Sequence, residues 1–192
     1  MVNYEELYKV VKESVSKERF EHILGVVERA IEYSKVYNVN IEDAKIAAIL
    51  HDIAKEYSIE KSLGILEKYE YKLDEIEKKN PNLLHAKVAA MIAKYEYYMS
   101  DDIVNSISFH TTGRANMSML EKIVYLADAT EKGRIYMNEL NQLTLDEVVF
   151  LIKKDINKGL FYVLNFTLKS LLHRKLYIHN NSVEAYNFYL KK

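Results

Sequence analysis

The chain has 192 residues, 49% of them hydrophobic, with 27 basic and 28 acidic side chains and a formal net charge of −1. That length suits one domain over residues 1–192, and so even a charge balance gives no electrostatic footprint for nucleic acid or an anionic membrane surface. The absence of cysteine excludes disulfides, thiolate metal sites and cysteine nucleophiles, and fits a reducing, cytoplasmic setting.

Five glycines and one proline are few for this length. Strand-type alternation is hard to find, so an all-α, single-domain helical bundle is expected. The opening "MVNYEELYKVVKE" lacks the basic start and unbroken apolar segment of an export signal, and runs such as "IAAIL" fall far short of the roughly 18 to 20 residues that span a bilayer. Apolar residues recur at three and four spacing in "LYKVVKESV" and "FEHILGVVERAIEY", where Phe20, Ile23, Leu24, Val27 and Ile31 share a face. Asn40 with Asp43 predicts a capped helix carrying Ile46, Ala47, Ile49, Leu50 and Ile53, with His51 and Asp52 near its end.

Ser58 opens a short helix to about Tyr69, and "LDEIEKKN" is a polar helical segment halted by Pro81. The helix "NLLHAKVAAMIAKYEYY" follows, with His85 in its first turn. Ser100 suits the N-cap of "DDIVNSISF", which runs into His110 and the loop "TTGRANM", and Ser118 starts "MLEKIVYLADAT" with Asp128 near its end. Thr144 and Glu147 form a capping box before a long helix with a break expected near Gly159, and Ser182 is expected to cap a last short helix.

Six ionisable residues stand at the margins of these apolar segments: His22, His51, Asp52, His85, His110 and Asp128. Any one histidine among them reads as a core residue with a hydrogen-bond partner. Together they form a nitrogen and oxygen donor set, drawn from helices distant in sequence, that suits iron, manganese, cobalt or zinc. Neighbours on a helix project about 100° apart, so His51 and Asp52 share an ion only if it lies beside the helix end. A carboxylate can bridge two ions. One ion would then take His22, His51, Asp52 and Asp128, the other Asp52, His85 and His110. Between ions roughly 3.5 to 4 Å apart, a bridging water is acidified to a hydroxide that attacks phosphorus.

The pattern His22, His51-Asp52, Asp128 resembles the HD-domain superfamily of helical metal-dependent phosphohydrolases, with His85 and His110 resembling its two-metal branch. The strings "RFEHILGV", "LHDIAK", "HAKVAAMI" and "HTTGRANMSMLEKIVYLADATEKGR" resemble, in order over about residues 15 to 135, the YqeK-like group of bacterial HD proteins. Lys132 stands where that group has proline. The resemblance implies symmetrical hydrolysis of a dinucleoside tetraphosphate to two nucleoside diphosphates, with two divalent ions, iron favoured. The same centre on other substrates would make a deoxynucleotide or cyclic-nucleotide phosphohydrolase, and without turnover a nucleotide sensor. A homodimer is allowed.

Around that centre, Lys55, four residues after His51, is expected to share its helix face and neutralise a phosphate oxygen. Arg19, three residues before His22, is expected to bind phosphate or orient a ligating carboxylate. In "HTTGR", Thr111, Thr112 and the Gly113 amide are expected to cradle phosphate or ribose, with Arg114 clamping a second phosphate. Glu131 and Arg134, three and six residues after Asp128, complete the expected substrate contacts. No role is assigned to His173 or His179.

Overall fold

The start of most helices is written in a single polar side chain. Asn3, Ser16, Asn40, Ser58, Asp74, Ser100, Ser118, Thr144 and Asp155 each accept a hydrogen bond from a backbone N–H of the first turn that the helix itself leaves unbonded. The computed structural model describes residues 2–133 and 143–190. The helices are α1 (Tyr4–Ser14), α2 (Lys17–Tyr37), α3 (Ile41–Leu50), α4 (Ile59–Lys68), α5 (Glu75–Lys79), α6 (Leu84–Tyr95), α7 (Asp101–Ser108), α8 (Met119–Thr130), α9 (Leu145–Lys154), α10 (Ile156–His173) and α11 (Asn180–Tyr189), with a 3₁₀ turn at Pro81–Leu83. No strand occurs among the described residues. The chain is all-α.

The centre is α3, packed against α1, α2, α7 and α8. Its residues Ala44, Ala47, Ala48, Ile49 and Leu50 are all fully buried, because apolar side chains leave it on every side. Small residues let its neighbours approach. Ala86, Ala89, Ala90 and Ala93 do the same for α6, which packs on α7 and α4. Helix α10 leans on α8 and carries α9 and α11.

Three boundaries differ from the sequence expectation. Helix α3 stops at Leu50, and Ile53, Lys55 and Tyr57 donate to the carbonyls three residues back, at 3.1, 3.0 and 3.2 Å, so the chain tightens into successive turns. Ile53 and Lys55 are therefore outside the helix. The break expected near Gly159 falls at Asp155, whose extended backbone ends α9 and whose carboxylate caps α10. Gly159 lies inside α10 where the two helices touch: a Cβ there would meet Cα of Ile152 at 2.8 Å. The last helix is capped by His179, and Ser182 instead sits in its first turn, donating to the carbonyl of Thr112 at 2.8 Å.

Candidate metal centre

Five helices deliver the six expected donors to one place. His22 projects from α2, His51 and Asp52 follow α3, His85 is in the first turn of α6, His110 follows α7, and Asp128 is near the end of α8. The rings form a chain, with centroids 5.6 Å apart for His22 and His51, 4.9 Å for His51 and His110, and 5.1 Å for His85 and His110. Asp52 stands inside it.

The two oxygens of Asp52 face different partners. Oδ2 lies 3.7 Å from Nε2 of His22 and 3.7 Å from Nε2 of His51, and those two nitrogens lie 3.2 and 3.9 Å from Oδ1 of Asp128. Oδ1 of Asp52 lies 3.1 Å from Nε2 of His85 and 3.6 Å from Nε2 of His110. Two donor groups thus share one carboxylate.

The histidine protons can be placed by their partners. Nδ1 of His51, His85 and His110 lies 2.7, 2.6 and 2.8 Å from the carbonyls of Ala48, Asn82 and Ile107, and since a carbonyl only accepts, each Nδ1 carries the proton. Burial pushes His51 down to about 4, against the opposing pull of Asp52, and burial also lowers His85, so both rings are neutral at pH 7.

It follows that Nε2 of His85 and of His110 present lone pairs to each other across 3.2 Å. Nε2 of His51 and Oδ1 of Asp52 are buried without a well-formed hydrogen bond. Converging lone pairs and a carboxylate shut away from water are costly unless a cation lies among them. The residues present therefore fit divalent cations, and tight groups arise from His22, His51 and Asp128 and from His51, Asp52 and His110. A third acidic group, Asp74, Glu77 and His179, does not fit one. Nδ1 of His179 accepts the N–H of Asn181, so Nε2, 2.7 Å from Oδ2 of Asp74, carries the proton and has no lone pair for a cation.

The remaining expected residues divide. Arg19 donates from a terminal nitrogen to Oδ2 of Asp52 at 2.8 Å, fixing that carboxylate's plane. Nζ of Lys55 lies 3.3 and 3.4 Å from the ring nitrogens of His85, reached through the turns after α3 rather than along a helix face shared with His51. The "HTTGR" string departs from expectation. Gly113, at φ +63°, donates its amide to Phe109 and ends the α7 segment, while the buried Thr112 donates its hydroxyl to the Gly113 carbonyl. Both spend their polar groups on the backbone. Arg114 forks onto Glu121 at 2.7 and 2.5 Å, because Glu121 on α8 is buried and needs a cation. Thr111 is half-buried beside His110.

Glu131 was expected at the substrate, but it is buried and its Oε1 lies 3.2 Å from Nδ1 of His22. Arg134 lies outside the described residues. Sequence reasoning missed a clamp on the end of α8: Nε of Arg29 donates to the Thr130 carbonyl at 3.0 Å, and the Tyr33 and Thr130 hydroxyls lie 2.7 Å apart. Its signal was an arginine on the apolar face of "VVERAIEY". Among the described residues, two clefts reach the centre. One of about 540 Å³ opens on Arg19, His22 and Glu131, and one of about 150 Å³ on Lys55, Tyr57 and His85.

A helical scaffold that gathers four histidines and a second aspartate around the shared carboxylate of Asp52 is built as a metal-dependent hydrolase. The chain belongs to the HD domain family, whose model matches residues 19–133. It is 31% identical to a symmetrical bis(5'-nucleosyl)-tetraphosphatase of Bacillus subtilis (strain 168), over 97% of each chain. It is 33% identical to a protein of the same name from Halalkalibacterium halodurans, over 93% of this chain and 92% of the relative. The crystal structure of an HD superfamily hydrolase from Clostridium acetobutylicum, described as involved in NAD metabolism, superposes with a TM-score of 0.90 at 33% identity, covering 100% of this chain and 98% of that one.

Proposed function

We propose that this protein hydrolyses dinucleoside tetraphosphates symmetrically, releasing two nucleoside diphosphates, with His22, His51, Asp52, His85, His110 and Asp128 as ligands of two divalent cations. The observation that carries the reading is the division of Asp52, one oxygen towards His22 and His51, the other towards His85 and His110. The name shared by relatives aligned over nearly the whole chain supports the substrate.

The reaction consumes one water, whose oxygen joins one central phosphorus while the bridging oxygen departs with the other nucleoside diphosphate. Cations bound at this centre supply Lewis acidity, which acidifies water and offsets phosphate charge. Arg19 holds the Oδ2 edge of Asp52 in register with His22 and His51. Lys55, beside His85, supplies the nearest ammonium for a phosphate oxygen. Thr111 offers a hydroxyl next to His110. The leaving group needs little protonation, since a diphosphate leaves readily. A substrate with a nucleoside on either side of the cut matches a centre reached by one cleft at His22 and another at His85.

Iron is the proposed metal, in a donor set that also accepts manganese, cobalt or zinc, and the cytoplasm the proposed location. The test is to incubate protein reconstituted anaerobically with ferrous iron, or with manganese, with diadenosine tetraphosphate, and resolve the products. ADP alone is expected. ATP plus AMP overturns the position of the cut, and no turnover, or equal rates on cyclic nucleotides, overturns the substrate.

A further inference from the structure

Three of the four clustered histidines are held in one way. The Nδ1–H of His51, His85 and His110 donates to a backbone carbonyl three residues earlier, a neutral acceptor fixed by the local turn. His22 sits in the second turn of α2, where the carbonyls accept from the helix itself. Its Nδ1 instead meets Oε1 of Glu131, at 3.2 Å.

The chain makes room for that carboxylate on both sides. Oε2 of Glu131 accepts the Gly133 amide at 2.6 Å, and the residue is 6% exposed. A Cβ on Gly25 would lie 2.7 Å from Oε2, and one on Gly133 would lie 2.8 Å from Oε1. Gly25 is on α2 one turn past His22, in a helix interior where glycine costs about 1 kcal/mol relative to alanine. The close approach of Glu131 accounts for it.

We infer that Glu131 is a positioning residue for His22, and that it makes the cation position formed by His22, His51 and Asp128 the tighter of the two. Two features of the site carry this assignment, which rests on the two-cation reading above. A carboxylate at Nδ1 fixes the proton there and leaves Nε2, which lies 3.2 Å from Asp128 and 3.7 Å from Asp52, as the donor atom. An anionic acceptor also makes the imidazole a stronger donor than a neutral carbonyl does, and partners of this kind change metal affinity roughly 10- to 100-fold. The Nδ1–H of His85 and that of His110 each donates to a neutral carbonyl. The two positions are therefore unequal by construction.

The experiment titrates metal-free protein with Mn²⁺ by calorimetry, in four forms: wild type, E131A, G25A and the double variant. Wild type should show two affinity classes. E131A should weaken the tighter class about 10- to 100-fold and leave the other within about twofold, and E131Q, whose amide oxygen still accepts from Nδ1, should recover part of the loss. G25A should weaken the same class in the wild-type background, since its Cβ displaces the carboxylate, yet change nothing further in E131A, where the space is open. Equal weakening of both classes by E131A overturns the assignment, as does an unchanged tight class or a G25A effect of the same size in both backgrounds. Wild-type protein that binds no Mn²⁺ overturns the two-cation reading and this assignment with it, a result distinct from normal wild-type binding left intact in E131A.

Discussion

Asp52→Asn separates a carboxylate shared by two cations from one that serves a single cation. The substitution keeps the side-chain volume but turns one oxygen into an NH₂ that donates to imidazole nitrogens and cannot ligate. Asp52 is 2% exposed and lies between His22 and His51 on one oxygen and His85 and His110 on the other. No choice of amide orientation therefore spares both groups. At a free concentration a hundredfold above its dissociation constant, each cation stabilises the folded state by about 2.7 kcal/mol, so two contribute roughly 5 kcal/mol. At about 2–4 °C per kcal/mol for a chain of this size, loading should raise Tm by roughly 10–20 °C in the wild type.

The assay pairs thermal unfolding, with and without excess Mn²⁺, with elemental analysis of the desalted protein. Asp52→Asn should lose at least one equivalent and at least half of the metal-induced shift, because its remaining oxygen can serve only one of the two groups, and His110→Ala should lose one equivalent and about half of it. Metal-free Asp52→Asn should melt close to metal-free wild type, because the amide satisfies nitrogens that face one another as lone pairs in the parent. Retention of two full equivalents by Asp52→Asn would refute the shared carboxylate.

His51 is neutral in the folded protein down to about pH 4 but takes a proton near 6.5 when unfolded. The unfolded chain thus binds more protons in that window, so metal-free stability should be full above pH 6.5 and fall as pH drops towards 4, by up to roughly 3 kcal/mol; denaturant midpoints in chelator that rise with acidity would contradict this. Arg114→Ala should leave KM for diadenosine tetraphosphate unchanged yet destabilise the fold by about 1–3 kcal/mol, since buried Glu121 loses its partner. A raised KM with unchanged Tm would return Arg114 to the substrate. Gly159→Ala should cost about 1–3 kcal/mol by forcing α9 and α10 apart, read as a Tm loss without any change in metal affinity.

The elements legible in the sequence are those whose cause is local. Asn40, Ser58, Ser100, Ser118 and Thr144 each cap a helix through their own side chain and the next three residues, so a reader of the chain finds them. The expected break at Gly159 and cap at Ser182 failed for the opposite reason. Gly159 is set by a neighbouring helix, and Ser182 was a cap by type while His179 was the cap by position. Thr112, Gly113 and Arg114 of "HTTGR" are set by their neighbours likewise, because their hydrogen-bonding groups are taken up by the α7 end and by Glu121 on α8.

By itself the sequence determined that the chain is helical and singled out the six donors that the fold brings together, because residue type and spacing carry both. Only the tertiary structure decided how those donors divide around Asp52, that Arg19 holds that carboxylate while Arg114 turns away, and that Glu131 stands behind His22. Those facts depend on where α2, α3, α6, α7 and α8 cross. Crossing is fixed by packing of side chains remote in sequence, and packing leaves no local signature for a reader of the chain to find.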